Sequence, residues 1–146
     1  MFNKWDVVVG RFAGVEVRGD FCLEKATRWL EISDRLNGKM HLVYGNHDRV
    51  AKKNHLFEDE ADYMEIVDNG HNIVLCHYPI LFYKNMLHGW VHLYGHVHEG
   101  FDYKMTQHWK KEIEQLYERQ IPMYNVGASL LGYTPKTLAE IMEIFH

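Results

Sequence analysis

Short apolar runs that stop abruptly at clusters of Gly, Asn, Asp and His constrain this chain more than any other feature. Met40–Tyr44 leads straight into Gly45-Asn46-His47-Asp48. Asn72–Cys76 ends at His77-Tyr78-Pro79, and Val91–Tyr94 ends at Gly95-His96-Val97-His98. An earlier run, Val15–Arg18, stops at Gly19-Asp20, and Val7–Val9 is a further β-branched stretch. These runs read as strands. Asp68-Asn69-Gly70-His71 stands between Tyr63–Val67 and Asn72–Cys76, and Asn-Gly between two such runs predicts a hairpin.

Helical spacing fills the gaps between the strands. Leu23, Ala26, Trp29, Leu30, Ile32 and Leu36 predict a helix over Phe21–Leu36 with one buried stripe. Asp20 stands at its start and Asn37-Gly38 at its end. Phe101–Arg119 reads as a surface helix with apolar residues at Met105, Trp109, Ile113 and Leu116. Ile121–Val126 reads as a strand, and Thr137-x-x-Glu140 as a capping box opening a last helix through Ile144. The expectation is an α/β chain. Ligands in α/β folds collect beyond the carboxyl ends of strands. The polar clusters are therefore expected to converge on one site.

Composition limits the function classes. The 146 residues are 47% hydrophobic, with no repeat or linker, which predicts one domain over 1–146. A net charge of −4 gives no global pull toward nucleic acid or an anionic membrane. No apolar run approaches membrane-spanning length, and Met1–Gly10 has no apolar leader core, so a cytoplasmic protein is expected. Cys22 and Cys76 form no metal-ligand pair and read as buried free thiols in a reducing compartment.

The ligand types in the clusters are a carboxylate at Asp20, an amide oxygen at Asn46, and imidazoles at His77, His96 and His98. This mixed oxygen and nitrogen set suits Mn, Fe, Zn or Co, and the lack of thiolate argues against a structural zinc knuckle. On an extended segment the rings of His96 and His98 face the same way. Each signal has a bland reading. His-x-His arises by chance in a chain with 11 histidines, a lone His77 after a strand is commonly just hydrogen-bonded, and Gly19-Asp20 is an ordinary turn and cap.

Taken in order, Gly19-Asp20, Gly45-Asn46-His47-Asp48, His77 and Gly95-His96-Val97-His98 resemble the calcineurin-like metallophosphoesterases. The resemblance runs from about Gly10 to about Ile141. Tyr124-Asn125-Val126-Gly127 followed by Tyr133-x-Pro135 is similar to the ending of the small bacterial and phage members. It implies two packed β-sheets flanked by helices. It implies a bridging role for Asp20, second-metal ligation by Asn46, His77 and His96, and first-metal ligation by His98. His47 would face the substrate. The implied activity is hydrolysis of a phosphate ester, small molecule or nucleotide, by a metal-bound hydroxide, with His47 as acid or phosphate-stabilising group.

The pattern also departs from the family. Its usual opening Asp-x-His motif does not precede Gly19-Asp20, so the family's first strand is expected to be missing. The second metal site is then complete, whereas the first keeps only Asp20 and His98. A missing strand leaves sheet edges that favour self-association. Leu23 stands where many relatives carry an aspartate that orients the catalytic histidine, with Glu24 or Asp48 as substitutes, and Ala128-Ser129 replaces an acidic residue. The alternative expectation is a catalytically impaired, truncated metal-binding remnant of a phosphoesterase. Outside the motifs, Trp29, Trp90 and Trp109 read as packing residues and the charges of Lys110–Glu114 as a solvated helix face. Arg49 is a candidate phosphate contact, and His92 lies near the same loops.

Overall fold

A computed structural model describes residues 10–12, 15–18, 31, 39–55, 57 and 59–145. The first sheet holds β1 (Gly10–Phe12), β2 (Val15–Arg18), β3 (Lys39–Val43) and β4 (Asp59–Ala61), in that order. β1 is antiparallel to β2, while β2, β3 and β4 are parallel. A short helix, α1 (Arg49–Asn54), connects β3 to β4. The second sheet holds β5 (Tyr63–Asp68), β6 (His71–Cys76), β7 (Val91–Tyr94) and β8 (Met123–Asn125), again in chain order. β5 and β6 form the antiparallel hairpin, and β6, β7 and β8 run parallel. Two longer helices, α2 (Phe101–Tyr117) and α3 (Leu138–Phe145), complete the described elements.

Local chemistry accounts for several boundaries. Asn69 and Gly70 both take positive φ, 47° and 82°, the backbone that a two-residue hairpin turn of this hand requires. Thr137 and Glu140 close a capping box. The Thr137 N–H donates to Glu140 Oε2 at 2.7 Å, and the Glu140 N–H returns to Thr137 Oγ1 at 3.3 Å. The strand expected over Ile121–Val126 is confined to Met123–Asn125, since Pro122 has no N–H to give the ladder. Pro122 still accepts the His92 N–H at 2.8 Å.

The alternation of buried side chains divides the core in two. One side of the second sheet contributes Ile73, Leu75, Val91, Leu93 and Tyr124, which pack with Val43 of the first sheet and with Leu138 and Ile141 of α3. Val43 in that cluster shows the two sheets sharing one core. The other side contributes Val74, Tyr94 and Met123, covered by Ile113 of α2 and by Tyr83 and Met86 from the 77–90 connection. The rows Ile73, Val74, Leu75 and Val91–Tyr94 are buried on both faces, as parallel strands with cover on each side require. Among the described residues the structure is therefore α/β, with two sheets and the helices α1 to α3.

Several expectations change. α1 and β4 have no apolar pattern that would announce them; Arg49–Asn54 and Asp59–Ala61 are mostly polar. Of the stripe read on α2, only Ile113 is buried, while Met105, Trp109 and Leu116 are exposed. Cys76 is a free, half-buried thiol whose pKa burial pushes up. The helix expected over Phe21–Leu36 lies outside the described residues apart from Glu31, which is helical. Val7–Val9, Cys22, Leu23 and Asp20 also lie outside them. Among the described residues no helix is long and apolar enough to cross a membrane.

Candidate metal centre

Three strand ends deliver the site. β3 is anchored by fully buried Leu42 and by Val43, with Tyr44 beyond it giving its N–H to Ala61 at 2.9 Å. The chain then turns on itself. The Gly45 N–H donates to Asp48 Oδ2 at 2.8 Å, and the Asp48 N–H donates to Gly45 O at 3.2 Å. Asp48 is 1% exposed, so its carboxylate closes the loop from inside. The Lys52 N–H on Asp48 O, at 3.0 Å, continues the chain into α1. Asn46 and His47 are left exposed at the crest of this turn.

His77 follows β6 directly and is 1% exposed. Its carbonyl accepts the Gly95 N–H at 3.0 Å, which joins the end of β6 to the end of β7. His96 takes φ 61°, and the Val97 N–H reaches back across it to Gly95 O at 2.7 Å. That left-handed turn is costly for a non-glycine residue and persists only where the surroundings impose it. It also corrects the extended reading of His96-Val97-His98: alternation fails at His96, and His98 is exposed.

The consequence is a triangle of donor atoms. His77 Nε2 lies 3.0 Å from Asn46 Oδ1 and 3.1 Å from His96 Nδ1, and His96 Nδ1 lies 3.1 Å from Asn46 Oδ1. Hydrogen bonds alone cannot satisfy three edges. The amide oxygen carries no hydrogen, and each ring nitrogen carries at most one. Whatever the tautomers, at least one edge sets lone pair against lone pair or N–H against N–H. A cation facing all three atoms removes the conflict. Donors about 2.1 Å from one ion and at right angles to each other stand about 3.0 Å apart. The donor set thus fits a divalent metal. Asp20, the expected carboxylate partner, lies outside the described residues. Among the described residues no three His, Cys, Asp or Glu side chains gather as a metal group; the third corner here is an amide.

Residues that are not donors themselves hold the triangle in place. His92 is 0% exposed; its Nε2 accepts the Ile80 N–H at 3.0 Å and its Nδ1 meets Val74 O at 3.1 Å. The first contact requires a bare Nε2, so the proton sits on Nδ1. Burial pushes the ring down to about 4, partly offset by the carbonyls of Val74 and Tyr78. His92 is thereby a neutral strut that ties the segment after His77 to β6 and β7, not a ligand. Asn125, 2% exposed, donates Nδ2 to Val97 O at 2.7 Å and accepts the Gly127 N–H at 3.0 Å. A Cβ at Gly127 would stand a tight 3.2 Å from Asn125 Oδ1, so glycine suits this position. Asn125 is the last residue of β8, and the Tyr124-Asn125-Val126-Gly127 stretch is the signal in the sequence that marks it. His55, His71, His88 and His108 are exposed, and His41 pairs with Asp59 at 2.9 Å, in keeping with their lack of a motif position. Arg49 is exposed.

No family model matches the chain. An uncharacterized protein of Methanocaldococcus jannaschii is 26% identical over 150 residues, spanning 100% of this chain and 73% of that protein. A solved structure of a protein of unknown function from Aquifex aeolicus aligns with a TM-score of 0.59 at 23% identity, over 86% of this chain and 73% of that one. This second likeness speaks to the fold alone, and neither name states an activity.

Proposed function

We propose that the protein is a metal-dependent phosphate-ester hydrolase of the metallophosphoesterase type. The donor triangle of Asn46, His77 and His96 carries this reading, because its three edges of 3.0 to 3.1 Å make chemical sense around a cation. The order of the motifs, and two sheets sharing a core with α3 against it, are consistent with the fold such enzymes use. A divalent metal bound there would supply Lewis acidity toward a phosphoryl oxygen and a more acidic water.

The chain's own residues do the rest. Asn46 and the two imidazoles fix where the phosphoryl group sits. His47 is the next residue after the Asn46 corner and is exposed, on the open side of the turn. In this reading it donates a proton to the leaving oxygen as the P–O bond breaks, or stabilises charge on the phosphoryl oxygens. Asp20 and His98 are the proposed residues for a first metal.

A second reading has its own observation. The residues matched to a first metal are two, Asp20 and His98, and two protein ligands hold a cation less firmly than four. On that reading the protein is a catalytically impaired metal-binding remnant. Hydrolysis of bis-p-nitrophenyl phosphate and p-nitrophenyl phosphate across a Mn²⁺ titration separates the two, with metal binding followed in the same samples. Turnover that rises with Mn²⁺, falls with binding in Asn46→Ala, and falls on the order of 100-fold in His47→Ala with binding intact supports the enzyme. Binding lost in Asn46→Ala without turnover in any sample supports the remnant. Absence of metal binding refutes both.

A further inference from the structure

The ring of Tyr78 leans on both imidazoles of the triangle. Its centroid stands 5.1 Å from that of His77 at 82°, and 4.6 Å from that of His96 at 59°. It is 46% exposed, so the rest of the ring faces solvent. Two constraints hold it there. Pro79 disfavours the helical region for the Tyr78 backbone, and the Ile80 N–H is fixed by His92 Nε2 at 3.0 Å. A half-exposed aromatic set rigidly beside metal-type donor atoms is a surface ready for a ligand.

Chemistry narrows what it receives. A phosphoryl group at the triangle brings its organic part within reach of this ring. Flat aromatic groups stack on such a surface, and aliphatic chains gain much less. A net charge of −4 gives no attraction for a long polyanionic strand, which favours small esters. We propose that Tyr78 is a specificity-determining residue that selects small phosphate esters whose organic part carries a flat aromatic ring. This rests on the phosphate-ester reading above.

The test compares adenosine 5′-monophosphate with ribose 5-phosphate, which share the phosphoryl group and the leaving alkoxide and differ in the base. Calorimetric binding of each to Mn²⁺-loaded protein, at Mn²⁺ saturation for every variant, is measured beside hydrolysis of the same pair. The expected result is about tenfold tighter binding of the nucleotide. That preference disappears in Tyr78→Ala and survives in Tyr78→Phe, which keeps the ring. Equal affinities in the unaltered protein, or a preference unchanged in Tyr78→Ala, overturn the assignment even where turnover is present. A preference that behaves as expected without any turnover upholds Tyr78 and sinks the hydrolase reading alone.

Discussion

Acid should weaken this fold through His92 before most of its carboxylates are protonated. The ring is 0% exposed, and the Ile80 N–H occupies its only lone pair at 3.0 Å. Protonation would cost that contact and set a charge among the rings of Tyr83 and Tyr94, whose centroids lie 5.2 and 5.5 Å away. Burial therefore holds the folded pKa at about 4, against the ordinary value of 6.5. The sign follows from linkage. Between these two values the unfolded chain binds a proton that the folded chain refuses, so stability falls as pH falls from about 6.5 toward 4. A gap of about 2.5 pKa units corresponds to about 3 kcal/mol, most of it lost by pH 4.5. Urea denaturation at pH 7.5 and 4.5 reads the loss directly. His92→Gln separates this residue from the other titrating groups: it is less stable at pH 7.5, and its stability falls by about 2 to 3 kcal/mol less over the same interval. Equal pH dependence in the two proteins would refute the neutral-strut argument.

Three further outcomes follow from the packing and the caps. Asn125→Ala leaves Val97 O and the Gly127 N–H without their partner, so it should destabilise by about 2 kcal/mol in urea and weaken Mn²⁺ binding roughly tenfold by calorimetry, because the His96 turn loses its tether. Unchanged Mn²⁺ affinity would show that His96 is held some other way. Leu75→Ala, at a site 1% exposed in the shared core, should cost about 3 kcal/mol in the same assay. Thr137→Ala breaks the capping box of α3 and should lower Tm by roughly 3 °C in a calorimetric scan, while Thr137→Ser should recover most of that loss.

The sequence by itself determined what depends on near neighbours. The Asn69-Gly70 turn, the Thr137–Glu140 box and the apolar strands β6 and β7 are legible because each is settled within a few residues. The sequence also sets Asn46, His77 and His96 each after a strand, and strand ends are where α/β folds place ligands. Only the tertiary structure decided the rest. It brings Asn46 to His96 across 50 positions and to His77 across 31, through strand pairings that no local rule encodes. β4 forms from Asp59-Glu60-Ala61 because Val43 and its neighbours offer an open ladder, not because those residues favour a strand. His96 takes φ 61° for a similar reason: the Gly95 N–H on His77 and the Val97 carbonyl on Asn125 leave the chain little room to run extended between them. His92 looked like one more histidine near the loops, and only its burial, with both ring nitrogens taken by the backbone, makes it a strut. A residue's partners are fixed by which distant strands lie beside it, and that information resides in the fold as a whole.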